Sequence, residues 1–210
     1  MKKILFSLSA LLAFGFAQAQ DDTDSNGFSK GDVFFSGTLS YSSQKTDDVK
    51  SHTFTAAPAV GYFVTNNIAL GVAFGYTNSE NSYLSYSNIV STDDVISAGV
   101  FGRYYVNPSN KFNFFAELNV AYVHAKVEQQ STYNYDPMFP QTINYNSNGF
   151  GIGLAPGFNY WISNHFALEA NIALVNYNSV KPDFDGAEST DSFDIGIDFS
   201  NINFGLIYKF

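Results

Sequence analysis

The sequence predicts an all-β protein: an eight-stranded, antiparallel, up-and-down β-barrel that crosses a membrane. Three observations carry this. Apolar and small or polar residues alternate with period two along eight segments, which marks strands with two unlike faces. The chain holds 22 Phe and 14 Tyr yet only 14% charged residues, where about 25% is usual. Short polar turns and long polar connections follow one another in strict alternation, as they do in membrane barrels.

The N-terminus comes first. Lys2 and Lys3 form a positive start, Ile4 to Phe16 is an apolar run, and Ala17-Gln18-Ala19 supplies the small–x–small pattern of a cleavage site. Residues 1–19 are therefore expected to be an export signal, cut after Ala19. Residues 20–30 then form a short polar, unstructured periplasmic segment, and residues 31–210 the barrel. Beyond the signal, no run approaches the ~18 apolar residues that a spanning helix needs.

The eight segments carry their bulky apolar residues at alternate positions over Val33–Tyr41, Phe54–Val64, Ile68–Tyr76, Ile96–Val106, Phe112–Tyr122, Phe150–Ile162, Phe166–Leu174 and Ile202–Phe210. Each is close to the ~9–11 residues of a membrane-crossing strand. The intervening positions are small or polar with a few aromatics, for example Ala69, Gly71, Ala73 and Gly75, or Gly151, Gly153, Ala155 and Gly157. Volume decides which face points inward. The interior of eight strands is only just wide enough for modest side chains, so the bulky face must meet lipid and the small face the lumen. Closure also pairs every strand edge, which hydrocarbon demands.

Short turns are expected at 65–67, 107–110 and 163–165, on the periplasmic side, and long extracellular loops at about 43–52, 78–94, 128–148 and 178–198. A repeat supports the hairpin arrangement: Ala57-Pro58, Tyr62 and Asn66 recur 98 residues later as Ala155-Pro156, Tyr160 and Asn164. Tyr62, Tyr104 and Tyr160 each lie three residues before a turn on the lipid-facing parity, and Tyr208 shares that parity. Together they are expected to form an aromatic girdle at the periplasmic interface.

Candidate functional residues are few. Arg103, Glu117, Glu169 and Lys209 are the inward-facing charges. They read either as an ion path or, preferred here, as a lumen plug in which opposite charges pair because an unpaired buried charge is costly. Arg103 and Glu117 fall near-diagonal on adjacent strands. Asp22-Thr23-Asp24-Ser25-Asn26-Gly27 opens like a calcium loop, but Val33 stands where the bidentate glutamate belongs, so no metal site is expected. The acidic connection 178–198 reads as a solvated face rather than a cation site.

With no cysteine in the chain, thiolate metal sites and cysteine nucleophiles are excluded. His124 lies on the lipid-facing parity near the outer rim beside Tyr122 and Lys126, with no serine adjacent, so no catalytic residues and no cofactor are expected. The net charge of −9 disfavours nucleic acid. Loops 78–94 and 128–148 are rich in Tyr, Ser and Asn, a composition used for adaptable contacts with a ligand or surface partner.

Two stretches carry a family resemblance. The C-terminal alternation Ile202, Phe204, Leu206, Tyr208, Phe210 and the run Phe101-Gly102-Arg103-Tyr104-Tyr105-Val106 before a short turn resemble the small eight-stranded outer-membrane barrels of the OmpX/OmpA transmembrane-domain type, in the porin-like form common in Bacteroidetes. The resemblance covers about residues 31–210. It implies that Phe204, Leu206, Tyr208 and Phe210 form the terminal aromatic signal read by the barrel-assembly machinery. No peptidoglycan-binding domain follows Phe210 in this sequence, so an OmpA-like wall anchor is not expected. The expected protein is a monomer in outer-membrane lipid, non-enzymatic, with an envelope-structural or surface-contact role. The alternatives are a narrow porin-like channel and, third, a lipid-modifying enzyme centred on His124.

Overall fold

The computed structural model describes residues 27–84, 87–133, 141–197 and 202–210. The export signal 1–19, residues Asp22–Asn26 of the calcium-loop-like motif, and Asn134 and Tyr135 of the aromatic loop lie outside the described residues.

Ten ladder segments are present: β1 (Val33–Thr46), β2 (Val49–Phe63), β3 (Ile68–Leu84), β4 (Ser87–Tyr105), β5 (Phe112–Tyr133), β6 (Gln141–Trp161), β7 (Phe166–Ile172), β8 (Val175–Pro182), β9 (Thr190–Ile195) and β10 (Ile202–Lys209). They build eight staves, because β7 and β8 are successive parts of the seventh and β9 and β10 of the eighth. The order β5-β4-β3-β2-β1-β10-β7-β6 closes through β6 on β5, and every neighbour is antiparallel. This is the closed eight-stranded barrel that the period-two pattern predicts.

The faces are inverted relative to a soluble barrel. Leu39, Phe74, Val100, Leu118 and Leu168, all from the apolar alternation, are exposed on the outside. Phe101, Arg103, Tyr105, Phe115, Asn159 and Glu169, on the opposite parity, are buried within. The buried aromatic residues gather at the end that carries the short turns.

The repeated Ala-Pro positions mark irregularities in the ladder. Opposite β3, the pairs at Ala57 and Pro58 are missing between Ala56↔Tyr76 and Ala59↔Ala73. On β6, Gly157 opposes Asn171 and Leu154 opposes Val175, so Ala155 and Pro156 face three residues, a one-residue bulge. Proline has no N–H to give to a ladder and settles at such breaks.

The structure corrects the expected long loops. Asn78–Leu84 pairs residue by residue with Asn88–Asp94, and Glu128–Ser131 pairs with Gln141–Asn144. Likewise Ser43–Thr46 pairs with Val49–His52 around a tight turn in which Asp47 has φ 51°. These segments are therefore hairpin extensions of the wall, and β5 reaches 22 residues. Polar composition reports the solvent around a segment, whereas a ladder needs only backbone N–H and C=O groups facing each other. Ile89, Val90, Val127 and Ile143 supply the β-branched residues that favour extended backbone.

Candidate functional site

Arg103, on β4, stands directly opposite Glu117 on β5, not diagonal to it. Its Nε donates to Glu117 Oε2 at 2.7 Å. The other side of the guanidinium reaches across the lumen to β7, where Nη1 donates to Glu169 Oε2 at 2.6 Å and Nη2 to Oε1 at 3.1 Å. This bidentate fork is the strongest geometry that an arginine–carboxylate pair adopts. Nη1 also lies 3.3 Å from the Tyr105 hydroxyl. One side chain thus ties three staves together through the centre of the barrel.

The sequence around Arg103 explains why its side chain is held there. Phe34, Phe101 and Phe115 each stand opposite a glycine on the neighbouring strand, in the pairs Phe34↔Gly61, Phe101↔Gly71 and Phe115↔Gly157. Each ring lies over its glycine, in the space that a Cβ would take. This covers the weak point that glycine makes in a strand. The three rings then surround the guanidinium, whose Cζ is 4.6 Å from the centroid of Phe115, 5.1 Å from Phe101 and 5.6 Å from Phe34. A desolvated cation over aromatic faces gains additional attraction.

Two carboxylates face one guanidinium, and an amide supports each of them. Asn119 Nδ2 donates to Glu117 Oε1 at 3.1 Å, and Asn171 Nδ2 to Glu169 Oε1 at 3.5 Å. Asn203 Nδ2 in turn donates to Asn171 Oδ1 at 3.2 Å.

Lys209 does not join this cluster, which corrects the expected fourfold network. It sits at the short-turn end, where its Nζ donates to Gly27 O at 2.6 Å and lies 3.8 Å from Asp32 Oδ2 and 5.1 Å from the Trp161 ring. Phe28 is fully buried there among Phe34, Phe63, Tyr105 and Trp161. The expected unstructured character of the N-terminal segment therefore does not hold for residues 27–30.

Sequence reasoning missed this aromatic floor, although a signal was available. Three of the four girdle tyrosines are followed by a second ring, in Tyr62-Phe63, Tyr104-Tyr105 and Tyr160-Trp161. Period two sends the first ring out and the second in. Tyr62, Tyr104 and Tyr160 are indeed exposed, while Phe63, Tyr105 and Trp161 are fully buried. Tyr208 is half-buried, with its ring 5.0 Å from Phe166 and 4.9 Å from Phe210.

His124 is held by an amide. Its Nδ1 is 2.8 Å from Asn148 Oδ1, which also accepts from the Tyr122 hydroxyl at 2.6 Å. No group of three or more His, Cys, Asp or Glu side chains placed to hold a metal occurs among the described residues.

Comparison with known proteins adds three findings. The family model described as outer membrane protein beta-barrel domain matches residues 6–210. Among solved structures, the chain is similar to the outer membrane protein OprG from Pseudomonas aeruginosa. The TM-score is 0.54 at 14% identity, covering 89% of this chain and 99% of that one. It is also similar to a major outer membrane protein from Thermus thermophilus, with a TM-score of 0.50 at 13% identity, covering 85% of this chain and 98% of that one. Comparison with curated protein sequences finds no match.

Proposed function

Because the chain belongs to the outer-membrane β-barrel domain family and so resides in the bacterial outer membrane, we propose that it is a sealed, non-catalytic envelope barrel. Its working surface is its extracellular side. The observation that carries this reading is the Arg103 cluster. A guanidinium bonded to Glu117 on one wall and Glu169 on another, inside a cage of three phenylalanines, bridges the interior of a barrel that is only just wide enough for side chains. Such a cluster resists opening, because separating its members leaves buried charges unpaired.

The tall hairpins support the surface role. β5 exceeds the ~9–11 residues of a tilted membrane strand by roughly a factor of two. The surplus raises β3 to β6 above the membrane as one paired sheet. Polar side chains on the outer face of this region bond across strands, as when Tyr76 and Asn78 both donate to Asp94 at 2.9 Å. The sheet is therefore a shaped surface for contact.

Conductance of the refolded protein in a planar bilayer tests the sealed lumen, using material whose folded and boiled forms migrate differently on a gel. The expected result is no steady conductance. Discrete openings that change when Arg103 or Glu117 is replaced would overturn the proposal in favour of a narrow channel.

A further inference from the structure

Residues 27–32 lie across the short-turn mouth of the barrel and are bonded to three separate parts of its floor. In the turn between β4 and β5, Phe28 N–H donates to Pro108 O at 2.7 Å and Ser109 Oγ donates to Phe28 O at 3.4 Å. Around the turn between β2 and β3, Lys30 N–H donates to Asn66 Oδ1 at 3.1 Å and Gly31 N–H to Phe63 O at 2.9 Å. From β10, Lys209 Nζ donates to Gly27 O at 2.6 Å. The segment folds back on itself where Asp32 Oδ2 accepts from Ser29 N–H at 2.9 Å.

Its one large apolar side chain points into the barrel. The Phe28 ring stacks on Phe63 at 4.4 Å and meets Trp161 edge-on at 4.8 Å, with Phe34 at 5.3 Å and Tyr105 at 5.4 Å. All five rings are fully buried. Burial of apolar surface is the dominant favourable term in such packing, so this ring is the main anchor of an otherwise polar segment.

We propose that residues 27–30 are a separable stopper, which docks into the periplasmic mouth once the barrel has closed and can leave without unfolding the wall. Two features make it separable. Residues 27–30 precede β1 and, among the described residues beyond 27–32, bond only to turns and to the Lys209 side chain. The backbone first reaches a strand at Gly31 and Asp32, where Gly31 N–H donates to Phe63 O and Phe63 N–H to Asp32 O, both at 2.9 Å. Both Gly27 (φ 127°) and Gly31 (φ 97°) adopt backbone conformations that favour glycine, which gives the segment a hinge on either side of Phe28. Docking comes last because the groups that receive the segment lie on two turns and the final strand, which come together only in the closed barrel. Release would uncover a socket lined by Phe34, Phe63, Tyr105 and Trp161. This closure is distinct from the Arg103 cluster and goes beyond the sealed-lumen reading.

The chain carries its own reporter, since Trp161 is its only tryptophan and touches Phe28. Gly27→Ala is the cleanest perturbation. A Cβ there would fall 2.5 Å from Pro108 O and 2.6 Å from the Ser109 backbone, so the segment is pushed off without touching a strand. Phe28→Ala removes the anchor instead. In vesicles, both variants are expected to keep the gel mobility of the folded barrel. Their Trp161 emission should move to the red, and its quenching by iodide or acrylamide should rise several-fold over the unaltered protein. Unchanged emission and quenching in both variants would overturn the proposal, as would loss of folded mobility in both, which would make the segment part of the wall. Because the readout is Trp161 exposure, failure here leaves the conductance test of the lumen cluster untouched.

Discussion

Replacing Arg103 by methionine isolates the energetic weight of the lumen cluster, because the stem volume is largely kept while the guanidinium is removed. Three charge-assisted bonds disappear, at 2.7, 2.6 and 3.1 Å. Glu117 and Glu169 stay behind with side-chain exposures of 17% and 6%. Bonds of this type contribute about 1.5–3 kcal/mol each, but they are not additive within one cluster. Breaking a buried pair by removing one partner costs about 3–5 kcal/mol, since the partner's charge is then uncompensated. The expected loss for Arg103→Met is therefore about 3–5 kcal/mol, or roughly two to three and a half orders of magnitude in the folded-to-unfolded ratio.

A second variant separates charge from shape. Arg103→Met combined with Glu117→Gln and Glu169→Gln leaves the cluster without charge, and replacing a whole buried ion cluster is often neutral. The combined variant should recover most of the loss. Urea titrations followed by Trp161 emission and by gel mobility measure both. Equal stability of Arg103→Met and the unaltered barrel would refute the reasoning. So would a combined variant as unstable as the single one, since the cost would then come from lost packing rather than from stranded charge.

Other outcomes follow from the same geometry. At Gly157 an added Cβ meets the Phe115 ring and lies 2.7 Å from Ala170 O, whereas at Gly153 it meets only Asn119 and Asn176 side-chain atoms. Gly157→Ala should thus lower the urea midpoint by the equivalent of about 1–3 kcal/mol and Gly153→Ala by clearly less, and equal effects would contradict the role of the ring over the glycine. Phe210 donates its N–H to Val33 O at 3.0 Å and packs edge-on against Tyr208 at 4.9 Å. Because Phe210→Ala keeps that backbone bond, refolding in vitro should persist while the amount assembled in the outer membrane falls. Unchanged assembly in cells would show that the terminal ring is not the signal.

The wall of the barrel is legible in the order of the residues alone. Period two is a local property, and lipid is a uniform solvent, so Leu39, Val100 or Leu168 could be assigned to the outside without knowing its neighbours. The same parity placed Arg103, Glu117 and Glu169 inside, and the turn residues fixed which strands are adjacent. Polar hairpin tips were harder to read, because the pairing of Asn78–Leu84 with Asn88–Asp94 depends on backbone alignment that composition does not encode.

Which inward residues meet depends on the closed fold. Glu117 and Glu169 are 52 positions apart, yet both reach Arg103. Lys209 shares their parity but sits at a different height and serves Gly27 and Asp32. Height in a barrel accumulates from the register of every ladder around the wall, together with the bulge at Ala155 and Pro156, so it is a global quantity. The burial of Phe28 has the same origin. Its socket is made of rings from β1, β2, β4 and β6, which converge only when the sheet closes on itself.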